Sequence, residues 1–180
     1  MKKLTAVVVI GVIVLWATVA SAASYAALDN DPYNRAWVGV GGMYISGDNG
    51  QSPSVSDSEF VPTVNLAGVS KMLAYQVFYG MGSDTTVYGG NLDYILANNF
   101  DQCFTCPGSG QWWFGAGASV MVASDLYYDV ATPTAAVDDT FYGGNVGFGY
   151  IWGDWSINLY AHYLQDQLAF QGMLLYNITK

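Results

Sequence analysis

The chain has 180 residues, of which 52% are apolar, 16% aromatic and only 11% charged, and its formal net charge is −9. That length suits one domain. An acidic chain excludes nucleic-acid binding, which needs clustered Lys and Arg against phosphate. Soluble domains carry about 25% charged residues, so a chain this poor in charge needs an apolar environment for its surface.

Met1-Lys2-Lys3 precede an almost wholly apolar run from Leu4 to Val19, and Ala20-Ser21-Ala22 follow. A basic start, an apolar stretch and an A-x-A site describe a secretory signal peptide over residues 1–22. An uncleaved membrane anchor is the alternative, but the run is short for one and lacks a charged flank. After residue 22 the basic residues are Arg35, Lys71 and Lys180, against fourteen acidic ones. No later run of 18 apolar residues predicts a transmembrane helix.

Residues 23–34, "ASYAALDNDPYN", read as a periplasmic lead-in, and a domain over 35–180 follows. That domain has no useful 3.6-residue period. It alternates strand-like runs with Gly, Asp, Ser and Pro punctuation. The predicted strands are 35–46, a stretch within 64–80, 87–97, 111–123, 126–132, the hairpin 141–164 with its turn at Gly153-Asp154, and 168–179. Long polar connections fall at 47–61, 98–110 and 133–139, and short ones at 82–86, 124–125, 153–154 and 165–167. Alternating short and long connections between an even number of strands predict an all-β, eight-stranded antiparallel up-and-down transmembrane β-barrel.

The hairpin "FYGGNVGFGYIWGDWSINLYAHYL" sorts its residues by parity. Tyr142, Val146, Phe148, Tyr150, Trp152, Trp155, Ile157, Leu159 and Tyr163 share one face. Gly143, Asn145, Gly147, Gly149, Ser156, Asn158, Tyr160 and His162 share the other. Successive strand residues point to opposite faces. In lipid the apolar face turns outward, and only closed barrels or helices satisfy the backbone. "YGGNLDY" at 88–94 echoes "YGGNVGF" at 142–148 and places Asn91, like Asn145, inward. Asp93 is also predicted inward. With no cation in view it needs water or neutral donors, because a buried unpaired carboxylate is costly. The predicted polar lumen is therefore Asn91, Asp93, Asn145, Asn158 and His162, in a mainly neutral interior of Gly, Asn, Gln and Ser. Trp37, Trp112, Trp113, Trp152 and Trp155 fall near strand ends. There they predict aromatic girdles at headgroup level, with ordinary core aromatics as the alternative.

Cys103 and Cys106 sit in "FDQCFTCPGSG". In an oxidising compartment a local disulfide is the leading reading. A metal site needs more ligands. A redox motif needs a βαβ context, and covalent haem needs His where Pro107 stands.

The leader, the Gly/aromatic first strand beginning Trp37-Val-Gly-Val-Gly-Gly, "FYGMGSDTTVYGGNLDY" at 78–94 and the eight alternating runs together resemble the small outer-membrane β-barrel superfamily. Its members include the OmpA transmembrane domain, OmpX and OmpW. The resemblance covers about 35–180 and implies the cell outer membrane of a Gram-negative organism and insertion by the barrel-assembly machinery. It also implies roles from anchoring and adhesion to passage of small or hydrophobic solutes. The last strand in that group ends in an aromatic; here Tyr176 and Ile178 face outward. OmpA-like interiors carry networks of Arg, Lys and Glu; here Lys71 has outward parity and Arg35 stands at a strand start. No peptidoglycan-binding segment is expected after the barrel.

Four functions remain to be weighed. The first is a structural or surface-interaction barrel without cofactors, surrounded by outer-membrane lipids, whose acidic loops (Asp48, Asp57, Glu59; Asp101; Asp138, Asp139) would meet a surface partner. The second is a narrow pore, because inward glycines would leave a water file. The third is a lipid-modifying enzyme, which needs a nucleophile beside a base. His162 and Ser156 lie about 20 Å apart at ~3.3 Å per residue, so they make no such pair. The fourth is a soluble secreted β-rich fibre subunit.

Overall fold

The computed structural model describes residues 35–46, 58–70, 72–83, 85–100, 110–126, 137–165 and 167–178. The leader 1–22, the lead-in 23–34, Lys71 and the predicted disulfide between Cys103 and Cys106 lie outside the described residues.

Eight strands alternate along the chain: β1 Arg35–Ile45, β2 Glu59–Val69, β3 Leu73–Met81, β4 Thr86–Asn98, β5 Gln111–Leu126, β6 Val137–Trp152, β7 Trp155–Leu164 and β8 Gln167–Asn177. Each pairs antiparallel with its sequence neighbour, and β1 pairs with β8, so the sheet closes into a barrel in sequence order. Closure removes the edge strands that would otherwise expose unpaired backbone groups.

The strand count matches the sequence expectation, but two strands differ. The run 64–80 is two strands. The chain reverses between Val69 and Leu73, where Ser70 Oγ accepts the Leu73 amide at 3.1 Å. The sequence there, Ser70-Lys71-Met72, has no Gly or Pro to announce a turn. Conversely, 124–125 is no turn: β5 runs on to Leu126, with a register irregularity between Ala123 and Leu126. Leu126, where a separate strand over 126–132 is predicted to begin, is instead the last residue of β5; residues 127–136 lie outside the described residues. Asp138 and Asp139 belong to β6 and not to a loop.

These shifts move the connections. The barrel's two chain ends, the β2–β3 turn, the β4–β5 connection and the β6–β7 turn share one end, here called the terminal end. The β1–β2, β3–β4, β5–β6 and β7–β8 connections share the other, the far end. The cysteine connection was expected beside 47–61. It joins β4 to β5 at the opposite end; Asp48, Asp57 and Asp101 themselves lie outside the described residues. The predicted single face of acidic loops is thereby split.

The β6–β7 turn is tight, and Gly153 occupies a left-handed φ of 56°. Such conformations favour glycine because it lacks a Cβ.

The outer wall is apolar from strand to strand. Val38, Val40, Tyr44, Phe60, Val64, Leu73, Tyr79, Leu92, Tyr94, Phe114, Tyr142, Val146, Phe148, Ile157, Leu159, Tyr163, Phe170 and Leu174 all project outward and are exposed. Among the described side chains, no outward strand position carries a charge. Large rings cover two glycines of this wall: the Phe60 ring lies over Gly42 and the Tyr75 ring over Gly68.

Candidate functional site

The inner wall is built in three tiers. At the terminal end a buried apolar plug includes Trp37, Val69, Ile95, Trp113, Ile151, Met173 and Leu175. At the far end a second plug includes Met43, Ile45, Val61, Phe78, Val87, Met121 and Leu164. Between them lie the buried polar residues Thr63, Asn65, Gln76, Asn91, Asp93, Ser119, Asn145, His162 and Gln171. An eight-stranded barrel has an interior about wide enough for side chains to fill, and here large apolar side chains close both ends.

Two of the predicted girdle residues are part of this closure. Trp37 and Trp113 are turned into the lumen, 1% and 0% exposed, which corrects their placement at the lipid interface. Inward glycines make the room. A Cβ at Gly149 would collide with the Trp113 indole, and one at Gly147 would press on Tyr160 and Trp113. The space at these two glycines is therefore filled by rings from the neighbouring strands β5 and β7 and leaves no water file there. Trp113 and Tyr160 pack with ring centroids 6.0 Å apart. Trp155 is exposed, and Trp112 and Trp152 are half-buried at the terminal end. Trp155 meets Tyr176 edge-on at 5.1 Å, and Trp152 stacks on Tyr150 at 5.9 Å.

The five predicted lumen residues Asn91, Asp93, Asn145, Asn158 and His162 are all buried inside the barrel. Four of them form one network. Asp93 is 0% exposed, and its two carboxylate oxygens each accept a side-chain amide: Asn91 Nδ2 donates to Oδ2 at 2.5 Å and Asn145 Nδ2 donates to Oδ1. The repeated Tyr-Gly-Gly-Asn sequence thus supplies both donors, one from β4 and one from β6. Neutral amides hold the acid, in place of the Arg and Lys networks of OmpA-like interiors. Arg35 instead stands at the terminal end near Asp154.

The network continues through a residue the sequence reading missed. Ser119 Oγ donates to Asn145 Oδ1 at 2.8 Å and lies 2.9 Å from His162 Nδ1. Asn158 lies apart and accepts Ser156 Oγ at 2.8 Å. A second group joins across β2, β3 and β8. Gln76 Nε2 donates to Asn65 Oδ1 at 3.1 Å and to Gln171 Oε1 at 2.9 Å, and Gln171 Nε2 donates to Asn65 Oδ1 at 3.0 Å. Asn65 in turn donates to Thr63 Oγ1 at 3.0 Å. The sequence carried one signal for Ser119, its inward parity in "GAGASVM", but not its partner.

A serine beside a histidine suggests an activated nucleophile, yet the hydrogen bonds run the wrong way. Asn145 gives its N–H to Asp93, so its Oδ1 can only accept, and the Ser119 hydroxyl proton goes there. Ser119 Oγ must then accept from His162, which places the imidazole proton on Nδ1. A general base would need that nitrogen free to take the serine proton. The pair is also enclosed between the two plugs. Among the described residues, no group of three or more His, Cys, Asp or Glu stands together to hold a metal ion.

No known protein family matches the sequence, and no curated protein does. Solved structures do align. Ail, the attachment invasion locus protein of Yersinia pestis, is 8% identical with a TM-score of 0.46, covering 82% of this chain and 97% of its own. The same protein in complex with the heparin analogue sucrose octasulfate is 9% identical, with a TM-score of 0.45 and coverages of 81% and 97%. Neisserial surface protein A (NspA) is 14% identical, with a TM-score of 0.41 and coverages of 79% and 94%.

Proposed function

We propose that the chain is a non-enzymatic outer-membrane barrel with a structural or surface-interaction role. One observation carries this reading: a continuous apolar outer wall surrounds an interior that holds the buried polar side chains. A monomeric soluble protein rarely exposes an apolar patch beyond a few hundred Å², whereas acyl chains accept such a wall without cost. Among the described residues no helix is long and apolar enough to cross a membrane, so crossing falls to the strands. A spanning strand needs roughly 9–11 residues when tilted. All eight strands reach at least 9. The signal peptide read from residues 1–22 accounts for export, and the barrel-assembly machinery for insertion.

The closed ends of the lumen argue against a pore. The direction of the Ser119–His162 hydrogen bond argues against a hydrolase. Function then belongs to the ends of the barrel. The β5–β6 hairpin is built from the two longest strands, 16 residues each, and extends the wall at the far end. We place the surface-interaction role at that end, with Asp48, Asp57, Asp138 and Asp139 as its acidic groups.

Fractionation tests the reading. The protein should partition with the outer membrane, need detergent for extraction and run faster on gels unheated than boiled. Release into the soluble fraction with one mobility would contradict it and favour the secreted fibre subunit. Planar-bilayer recording of the refolded protein should show no conductance steps; regular steps would restore the pore.

A further inference from the structure

Among the described residues, six buried side-chain atoms find no hydrogen-bond partner within bonding geometry: Trp37 Nε1, Trp113 Nε1, Gln76 Oε1, Asn91 Oδ1, Tyr160 OH and His162 Nε2. The two indoles belong to the terminal plug. The other four belong to, or border, the central polar tier and are neighbours there. Gln76 and Asn91 face each other across the β3–β4 ladder, where opposed Cβ atoms are about 5 Å apart. Tyr160 lies beside Asn91 and Asp93. Its ring stacks on His162, with centroids 5.6 Å apart. His162 lies beside Gln171, which accepts Gln76 Nε2.

The network fixes what each atom offers. Gln76 gives its NH2 to two oxygens and Asn91 gives its NH2 to Asp93, so neither amide can flip without losing those bonds. Their orphaned atoms are therefore carbonyl oxygens, which only accept. His162 carries its proton on Nδ1, as the Ser119 bond requires, so neutral Nε2 is also an acceptor. The Tyr160 hydroxyl both donates and accepts. Three acceptors and one phenol thus converge with too few donors among themselves.

We propose that the central tier is a binding site for internal water. A small enclosed cluster donates to Gln76 Oε1, Asn91 Oδ1 and His162 Nε2 and exchanges a hydrogen bond with the Tyr160 phenol. Buried waters commonly make about three such bonds to otherwise unpaired groups. The guest must be small, because apolar side chains close the tier on both sides. A neutral guest fits better than a metal ion. Hard cations favour an all-oxygen shell, whereas this site offers an imidazole nitrogen, and both Asp93 oxygens already accept amides. Water held here is isolated, not a file through the barrel. The proposal holds whichever solvent surrounds the outer wall.

The test uses the full chain, isotope-labelled and refolded in micelles, with water–protein nuclear Overhauser spectra. Long-lived water contacts are expected at the His162 ring and at the Gln76 and Asn91 side-chain amides. The His162 nitrogens should report a proton on Nδ1 and none on Nε2. Tyr160→Phe is the discriminating variant, because it deletes a buried hydroxyl whose one polar neighbour within reach is the Asn91 amide, and leaves the Asn91–Asp93 and Ser119–His162 contacts in place. It should fold and lose or weaken the water contacts at His162 and Asn91. Absence of these contacts in the unaltered chain would overturn the proposal, as would contacts unchanged in Tyr160→Phe. Exchanging sodium for potassium at constant ionic strength should leave the spectra unaltered; shifts confined to the tier would assign the site to a cation instead.

Discussion

Strand β7 sets two surroundings side by side. Ile157, Leu159 and Tyr163 point outward and are exposed, while Ser156, Asn158, Tyr160 and His162, one residue away each time, are buried. In a protein folded for water the polar set would be outside. Here the polar groups are hidden and satisfied mostly by one another, and the greasy groups are left for the surroundings to cover. The two walls of one strand therefore obey opposite rules. The outer wall tolerates any apolar residue, whereas the inner wall depends on individual hydrogen bonds and on which glycine faces which ring.

Breaking that comparison from outside should have the largest effect. Leu159→Arg places a charge at the middle of the outer wall and should destabilise the barrel in vesicles by about 2–4 kcal/mol, as expected for a cation near the bilayer midplane. Surface substitutions in water usually stay within about 0.5 kcal/mol. Denaturant titration of the vesicle-folded protein measures the difference. From the inside, Asn145→Leu removes one of the two donors to Asp93 and the acceptor of Ser119. Buried groups left unsatisfied cost ~1–3 kcal/mol, so a loss of about 2–3 kcal/mol is expected by the same titration.

Smaller effects sharpen the picture of the plug. Gly149→Val would drive a branched side chain into Trp113, and overpacking of this kind costs about 1–2 kcal/mol. A compensating Trp113→Leu in the same chain should recover part of that loss. If the indole instead faced lipid, the second substitution would recover nothing. The smallest change is Gly153→Ala at the β6–β7 turn. Its left-handed φ should make Ala less favourable by about 1 kcal/mol, read as a small drop in the denaturant midpoint.

The sequence displayed the outer wall plainly, because parity alone sorts Tyr142 through Tyr163 onto one face. It displayed Asp93, Asn91 and Asn145 as inward too, since the echoed Tyr-Gly-Gly-Asn stretches share that parity. What it hid depends on contacts across the barrel. A tryptophan near a strand end suits a membrane interface, but it suits a lumen equally when glycines lie opposite. Trp113 faces Gly149 directly across the β5–β6 ladder, and only the register reveals that pairing. Ser119 was passed over for the same reason: its partners Asn145 and His162 come from two other strands. The reversal at Ser70 carried too weak a turn signal to be seen. The prolonged β5 compensated for it in the strand count while moving the cysteine connection to the other end.

The most direct test of the central claim is which side chains touch lipid. In nanodiscs with protonated acyl chains and an otherwise deuterated, methyl-labelled protein, cross-peaks from acyl methylenes should reach Val146, Leu159 and Leu92. None should reach Met43, Val87, Leu164 or Leu175. Acyl contacts to the second set, or water contacts along the first, would contradict the account.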